Sequence, residues 1–169
     1  MRITLADHDP AWARFFEVES AKIVSALGGR ALLIEHVGST SVPALPAKPV
    51  IDIVVAVADS AQEDDYAPAL ANAGYHVQIR EPDWYEHRML TDALRRVNLH
   101  VFSDGCPEIG RMLSFRDWLR ACAADRELYA RTKQDLAQRD WPAVQSYADA
   151  KTAVIQDIVT RASRSPEKA

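Results

Sequence analysis

Cysteine is scarce in this chain of 169 residues, which contains only Cys106 and Cys122. The two stand in no CxxC or Cys/His spacing of the kind that builds a zinc site. A chain of this length also buries enough apolar surface to fold without disulfide bonds. We therefore expect two reduced thiols, and neither a disulfide framework nor a zinc centre.

Long hydrophobic runs are also missing. No uninterrupted apolar stretch is long enough to cross a bilayer, and the first ten residues, MRITLADHDP, lack the apolar segment of a signal peptide. The formal net charge of -4 argues against a broad nucleic-acid-binding surface, although basic side chains can still gather at one site. These absences predict a cytoplasmic protein without a membrane or nucleic-acid partner.

The apolar pattern predicts a mixed sheet followed by helices. A helix begins at Asp9-Pro10 and ends at Gly28, and strands follow at 32–37 and 50–57. A helix over 62–73, capped by Ser60, precedes three strands at 75–79, 84–90 and 96–102. Helices at 109–123, 126–138 and 142 to about 162 complete the chain, with caps at Asp125 and Asp140 and a frayed tail over 164–169. This order indicates one α+β domain over 1–169, with a sheet half of about 1–105 and a helical half of about 106–163.

Asp52 is the one charged residue in the strand VIDIVVAV. Alternation places it on one face with Val50 and Val54, while Ile51 and Ile53 point to the other face. Because a buried carboxylate without partners is costly, three explanations stay open. Asp52 binds a cation, accepts hydrogen bonds from the nearby Gly38-Ser39-Thr40 turn, or lies at the exposed end of its strand.

His100 lies in a second predicted strand, NLHVF, in which Asn98 and His100 are polar and share one face. If the two strands are neighbours, Asp52 and His100 converge. An imidazole beside a carboxylate is either a divalent-metal pair, an acid/base pair or a structural contact.

A set of anion-binding candidates surrounds this pair in the sequence. Gly38 lets the backbone approach a bound anion, and the hydroxyls of Ser39 and Thr40 add donors. Basic side chains that could offset the charge of a phosphate or carboxylate are Lys48, Arg88, Arg116 and Lys151.

Several stretches together closely resemble the GrpB-like family: DHDPAWARFFEVES, HVGSTSVPALPAKPVIDIVVAV, NLHVF, LSFRDWLR and YADAKTAVI. The resemblance runs from about Asp7 to Ile158. It implies a nucleotidyltransferase-like fold, a mixed sheet flanked by helices, with Gly38, Ser39 and Asp52 at the positions where that superfamily binds a nucleoside triphosphate and its metal. It also implies a functional link to the enzymes of coenzyme A synthesis, although the chain has no GxxxxGK[ST] motif.

The resemblance implies a metal-dependent nucleotidyltransferase in which Asp52 and His100 hold Mg²⁺ or another divalent ion and take part in catalysis. The sequence departs from the superfamily, because the D-h-D pattern reads Val50-Ile51-Asp52 and a later strand carries His100 where an acid is expected. One alternative is a non-catalytic nucleotide-binding or accessory module that has lost a carboxylate. Another is a structural domain that binds no ligand.

Overall fold

The centre of the structure, a computed structural model that describes residues 1–165, is a mixed sheet of five strands. The strands lie in the order β1-β2-β5-β4-β3, and only β2 and β5 are parallel within this part of the chain. Their bounds are β1 (Leu33–Val37), β2 (Ile51–Val57), β3 (Tyr75–Glu81), β4 (His87–Asp92) and β5 (Val97–Ser103). The α+β class expected from the sequence is confirmed.

Six α-helices flank the sheet within residues 1–165: α1 (Ala11–Leu27), α2 (Ala67–Asn72), α3 (Pro107–Ala121), α4 (Ala123–Ala137), α5 (Val144–Ala150) and α6 (Thr152–Arg164). None of these helices combines the length and apolarity that a membrane span requires. Residues 166–169 of the predicted frayed tail lie outside the described residues, whereas Arg164 closes α6.

The first helix forms where the sequence predicts it. The carboxylate of Asp9 accepts a hydrogen bond from the backbone amide of Ala11 (2.8 Å), and Gly28, with φ +55°, ends the helix. Its buried side chains pack against one face of β2 and β5, forming a core that includes Trp12, Ile23, Leu27, Ile51, Ile53, Val55, Leu99 and Val101. This packing fixes which face of β2 is left for Asp52.

The opposite face of the sheet meets the helical half. Val54 of β2 and Phe102 of β5 pack against Ile109 of α3. The segment between β1 and β2 packs against α3, α4 and α6 through Val42 and Leu45. It also forms an antiparallel bridge with the N-terminal segment at Ala6 and Ala47. A cleft lies where the start of β2 meets α4 and α5.

The register between β2 and β5 aligns the polar side chains of the two strands. Asp52 is paired with Asn98, and Val54 is paired with His100. Residues paired across a sheet share a face, so Asp52, Asn98 and His100 lie on the same side. The sequence prediction that these side chains share a face is confirmed.

Two predicted elements and one predicted cap need correction. The helix expected over 62–73 is a short 3-10 turn at Glu63–Asp65 followed by α2, because Pro68 lacks an amide proton and stands at the start of α2. Ser60 does not cap that helix, and its hydroxyl instead contacts the Ser103 hydroxyl at 3.2 Å. The strand expected from Trp84 begins only at His87.

The helical half also differs in detail from the prediction. The helix expected from 142 to about 162 is divided at Lys151 into α5 and α6. Asp125 is not a cap but lies within α4, where its carboxylate accepts hydrogen bonds from the guanidinium of Arg161 and the indole of Trp118. Asp140 also supplies no cap, since α5 begins after Ala143 without a side-chain cap.

Candidate functional site

Asp52 lies near the start of β2 with its side chain 31% exposed. Its Oδ1 accepts a hydrogen bond from Asn98 Nδ2 (3.2 Å) and lies 3.1 Å from His100 Nε2. The structure therefore brings Asp52 and His100 together. Of the explanations left open by the sequence, capping of the Gly38-Ser39-Thr40 amides is not what holds this carboxylate, because its described hydrogen bonds come from β5.

The backbone of Gly38 lies against this carboxylate. Its φ of +72° and ψ of -178° fall in a region that side-chain-bearing residues rarely adopt. A methyl group at this position would stand 2.7 Å from Asp52 Oδ2. The turn needs glycine here for two reasons, its dihedral angles and the space taken by Asp52.

A chain of hydrogen bonds leads from Asp52 to the protein surface. His100 Nδ1 lies 3.1 Å from His87 Nε2, and His87 Nδ1 lies 2.7 Å from Oε2 of the partly exposed Glu81. Burial lowers the pKa of His87, and the nearby Glu81 carboxylate opposes that effect. Each of the three contacts in this chain needs one N–H donor, and each neutral imidazole has only one. All three contacts are hydrogen bonds only when one imidazole carries a second proton.

Lys133 of α4 is the most deeply buried cation at the site, with 2% of its surface exposed. Its ammonium donates to Ser39 Oγ (2.8 Å) and to the carbonyl of Pro46, and it lies 4.8 Å from the centre of the Tyr129 ring. All of these partners are uncharged. Burial, helped by repulsion from Lys151, lowers the pKa of Lys133 to about 7.

Lys151 stands at the break between α5 and α6, with its Nζ 4.6 Å from the centre of the Tyr147 ring. Burial lowers its pKa to about 8, repulsion from Lys48 acts in the same direction, and Asp52 acts against them. Lowered lysine pKa values that arise from burial and mutual repulsion are typical of a site prepared for an anion.

These groups line one cavity of about 190 Å³. The polar residues around it are Ser39, Thr40, Lys48, Asp52, Asn98, Lys133, Tyr147 and Lys151. Three lysines therefore share the cavity with one carboxylate. Five residues proposed from the sequence line this cavity, Ser39, Thr40, Lys48, Asp52 and Lys151, and two more, Gly38 and His100, contact Asp52 beside it.

Two of the proposed basic residues lie elsewhere. Arg88 is paired with Val101, so it points to the opposite face of the sheet, where its guanidinium bonds Glu63 and Glu86. Arg116 of α3 donates to the Glu35 carboxylate (2.7 Å) and to the backbone carbonyl of His36. Both arginines are satisfied outside the cavity, which corrects their assignment to the phosphate site.

The sequence analysis does not single out Lys133 or Tyr147 as site residues. A signal for the lysine was present in its helix, where Tyr129, Lys133 and Leu136 follow the spacing of a buried stripe. A lysine on such a stripe either turns its ammonium toward the surface or needs partners inside.

His36 supports the Gly38-Ser39-Thr40 turn through a contact with Thr40. It is buried, its ring stacks on Phe16 with centroids 4.9 Å apart, and its Nε2 lies 2.9 Å from Thr40 Oγ1. Burial lowers the pKa of His36 to about 4, with a smaller opposing effect of Asp52. The imidazole is therefore neutral in the folded protein at neutral pH.

We expect His36 to make the fold sensitive to mild acid. The unfolded imidazole takes up a proton below its ordinary pKa of 6.5, whereas the folded one resists until about 4, so stability falls as pH drops through that interval. The loss should reach about 2.5 kcal/mol by pH 4.5. Urea unfolding of the wild type and of His36→Gln at pH 7.5 and 4.5 measures it, and equal losses in the two proteins would contradict the assignment.

The residues fit a resident divalent metal poorly. Within residues 1–165 no group of three His, Cys, Asp or Glu side chains is arranged to hold a metal ion. Asp52 Oδ1 and His100 Nε2 are directed at each other, and three lysines share the cavity. Mg²⁺, however, is commonly held by one or two carboxylates together with substrate phosphates and water. The donor set therefore suits only an ion carried in on a phosphate ligand, with Asp52 as its protein oxygen.

Comparison with known proteins gives consistent matches over nearly the whole chain. The family described as GrpB protein matches residues 2–161. A UPF0157 protein of Halalkalibacterium halodurans is 55% identical over 161 residues, covering 95% of this chain and 83% of the relative. The crystal structure of conserved protein GrpB from Enterococcus faecalis superposes with a TM-score of 0.84 at 33% identity, covering 94% of this chain and 96% of that one.

A protein named dephospho-CoA kinase, from Mycolicibacterium paratuberculosis, is also similar. It is 30% identical over 186 residues, a match that covers 95% of this chain but only 46% of the relative. This chain therefore corresponds to less than half of that protein.

Proposed function

Because the chain belongs to the GrpB family, we propose that its cleft binds a nucleotide or another phosphate-bearing small molecule. The observation that carries this proposal is the gathering of Lys48, Lys133 and Lys151 around one cavity beside the Gly38 turn. Asp52 offsets only part of their charge. An anionic ligand is the natural counterpart of such a cluster, because it removes the mutual repulsion of the lysines.

The size of the cavity limits which part of the ligand it holds. Its volume of about 190 Å³ is below the roughly 300–1,000 Å³ of pockets that enclose a whole drug-sized ligand. The cavity therefore suits a phosphate group, while the rest of the molecule extends outward. A base and ribose would lie outside the lysine cluster.

Asp52 gives the cleft an acceptor among its donors. Its Oδ1 is bound by Asn98 and His100, whereas Oδ2 is the oxygen nearest the Gly38 position. A Mg²⁺ ion brought in on the phosphates would take an oxygen of Asp52 and neutralise phosphate charge. Without an ion, the same carboxylate would orient a ligand hydroxyl.

The finer proposal is nucleotidyl transfer, with Asp52 and His100 acting at the acceptor hydroxyl. The acceptor oxygen would bond to the α-phosphorus as pyrophosphate leaves, and the hydroxyl proton would pass through Asp52 to His100, whose contact with His87 would carry the charge toward Glu81. The acceptor would lie between the sheet and the helical half. This proposal requires that one carboxylate suffice where the superfamily uses two or three.

A non-catalytic binding module is the second candidate, and a specific observation favours it. The positions around Asp52 where further acids are expected hold Val50, Asn98 and His100. A site with one carboxylate binds a metal-nucleotide complex less strongly and aligns it less well for in-line attack. The relatives named dephospho-CoA kinase support a link to coenzyme A synthesis for such a module, but kinase chemistry is not carried over, since the P-loop motif is absent.

Titration calorimetry with ATP, with and without Mg²⁺, tests the proposal. We expect Lys151→Met to weaken binding 10-fold or more, because one charge-assisted contact contributes roughly 1.5–3 kcal/mol. Asp52→Asn should abolish any gain from Mg²⁺. The matched controls are Arg131→Met and Asp157→Asn, both exposed positions outside the cavity.

Failure to bind ATP or GTP at millimolar concentration, or binding that neither cavity variant alters, would refute the nucleotide proposal. Pyrophosphate release from bound ATP separates transfer from binding. Release that depends on Asp52 and an acceptor supports a transferase, and saturable binding without release supports the accessory module.

A further inference from the structure

The floor of the cleft contains two buried polar groups that the proposed function does not yet explain. Lys133 is 2% exposed and Tyr147 is 1% exposed, and both line the cavity. Within residues 1–165, the hydroxyl of Tyr147 has no hydrogen-bond partner. A buried hydroxyl without a partner is costly, so it calls for an explanation such as a bound water, ion or ligand group.

The number of hydrogen-bond donors on Lys133 also indicates a bound group in the cavity. An ammonium has three N–H donors, and Ser39 Oγ and the Pro46 carbonyl take two of them. One donor remains for a group in the cavity. No carboxylate is among the described contacts of this ammonium, so its charge is stabilised by dipoles and by the Tyr129 ring alone.

We propose that Lys133, Lys151, Ser39 and Tyr147 form a subsite for a terminal, doubly charged oxyanion such as a phosphomonoester. The proposal deepens the proposed function, because it states which end of the ligand enters the cleft. A phosphodiester, which has one charge and two substituents, suits this closed end poorly.

Proton uptake follows from the groups that face the lysines. They are Lys48 from the loop before β2, Asp52 from β2, Tyr129 from α4, and Lys151 and Tyr147 near the end of α5. At pH 7.5 a lysine with a pKa of about 7 is mostly neutral, and one with a pKa of about 8 is partly neutral. A dianion favours the charged form of both, so each binding event should take up about one proton.

Sulfate is the first probe, because it does not titrate near pH 7.5. Calorimetry in two buffers with different ionisation enthalpies counts the protons taken up on binding. The wild type should take up about one, and Lys133→Met should take up about a quarter of a proton and bind at least 10-fold more weakly. Arg131→Met, on the same helix, should match the wild type in both respects.

Tyr147→Phe provides a second test that leaves every charge in place. We expect its sulfate affinity to fall about 3- to 10-fold with little change in proton uptake. Wild-type sulfate affinity in both Lys133→Met and Tyr147→Phe would overturn the subsite, as would sulfate binding without proton uptake. If Lys133→Met does not fold, Tyr147→Phe and the proton count still decide.

Nucleotides distinguish this proposal from the broader one. Adenosine 5′-monophosphate should bind more tightly than its 3′,5′-cyclic phosphodiester by 10-fold or more. Nucleotide binding without a monoester preference or proton uptake would refute the subsite and leave the proposed function standing. Sulfate and inorganic phosphate binding with proton uptake, but no nucleotide binding, would support the subsite and refute the nucleotide assignment.

Discussion

Lys133→Met is expected to raise the free energy of unfolding by about 2 kcal/mol at pH 6 while it weakens anion binding at least 10-fold. The folded pKa of about 7 lies well below the ordinary 10.5 of lysine, so the charged side chain opposes folding. That cost is roughly 5 kcal/mol, since one pH unit between the two pKa values corresponds to roughly 1.4 kcal/mol. The methionine leaves the Pro46 carbonyl without this donor, and this loss reduces the gain in stability by roughly 1–3 kcal/mol. Methionine fits the space of the lysine stem.

The pH dependence of this gain has a definite sign. Below pH 7 the lysine is charged in both the folded and unfolded states, and the variant has its full advantage. Between pH 7 and 10.5 the folded lysine becomes neutral while the unfolded one stays charged, and the advantage shrinks. Urea unfolding at pH 6 and pH 9.5 measures both values, with Arg131→Met as the control. A less stable Lys133→Met protein at pH 6 would identify the lysine as a structural bridge rather than a ligand-binding group.

Gly38→Ala should destabilise the protein by about 3 kcal/mol and prevent ligand binding. The new methyl group would stand 2.7 Å from Asp52 Oδ2 and 3.1 Å from Asp52 Cβ, so the strand or the turn must move. The φ of +72° adds strain of roughly 1–3 kcal/mol for a residue with a side chain. Thermal and urea unfolding measure the loss, and calorimetry with ATP measures the effect on the cleft.

Gly110→Ala is the matched control. Gly110 lies inside α3, and a methyl group there meets nothing within 4 Å. Alanine is the better helix former, so this variant should gain about 0.5–1 kcal/mol. Equal stability of the two variants would show that the approach of Gly38 to Asp52 is not tight.

The part of the site carried by neighbouring strands could be predicted from the sequence. Alternation within VIDIVVAV and NLHVF places Asp52, Asn98 and His100 on single faces, and the structure pairs the two strands so that these faces coincide. The position of Arg88 does not follow from alternation alone. Its register opposite Val101 sends it to the α1 side of the sheet, a result that depends on long-range pairing and not on local pattern.

The part of the site carried by the helical half could not be predicted in the same way. Lys133 reaches the cavity only because α4 packs over the segment between β1 and β2 and brings its ammonium to Ser39 and Pro46. The break at Lys151 is marked by neither glycine nor proline in the sequence. In contrast, Pro68 indicates from the sequence alone that a helix cannot run unbroken from 62 to 73.

Lys133 and Lys151 at the floor of this cleft hold a terminal phosphate in the function proposed above. Diffraction from crystals soaked in ATP and Mg²⁺ tests it most directly. We expect the terminal phosphate within hydrogen-bond distance of Lys133 Nζ, Lys151 Nζ and Tyr147 Oη, with the base and ribose outside the cavity. Phosphate density elsewhere on the protein, or only water in the cleft at saturating nucleotide, would contradict it.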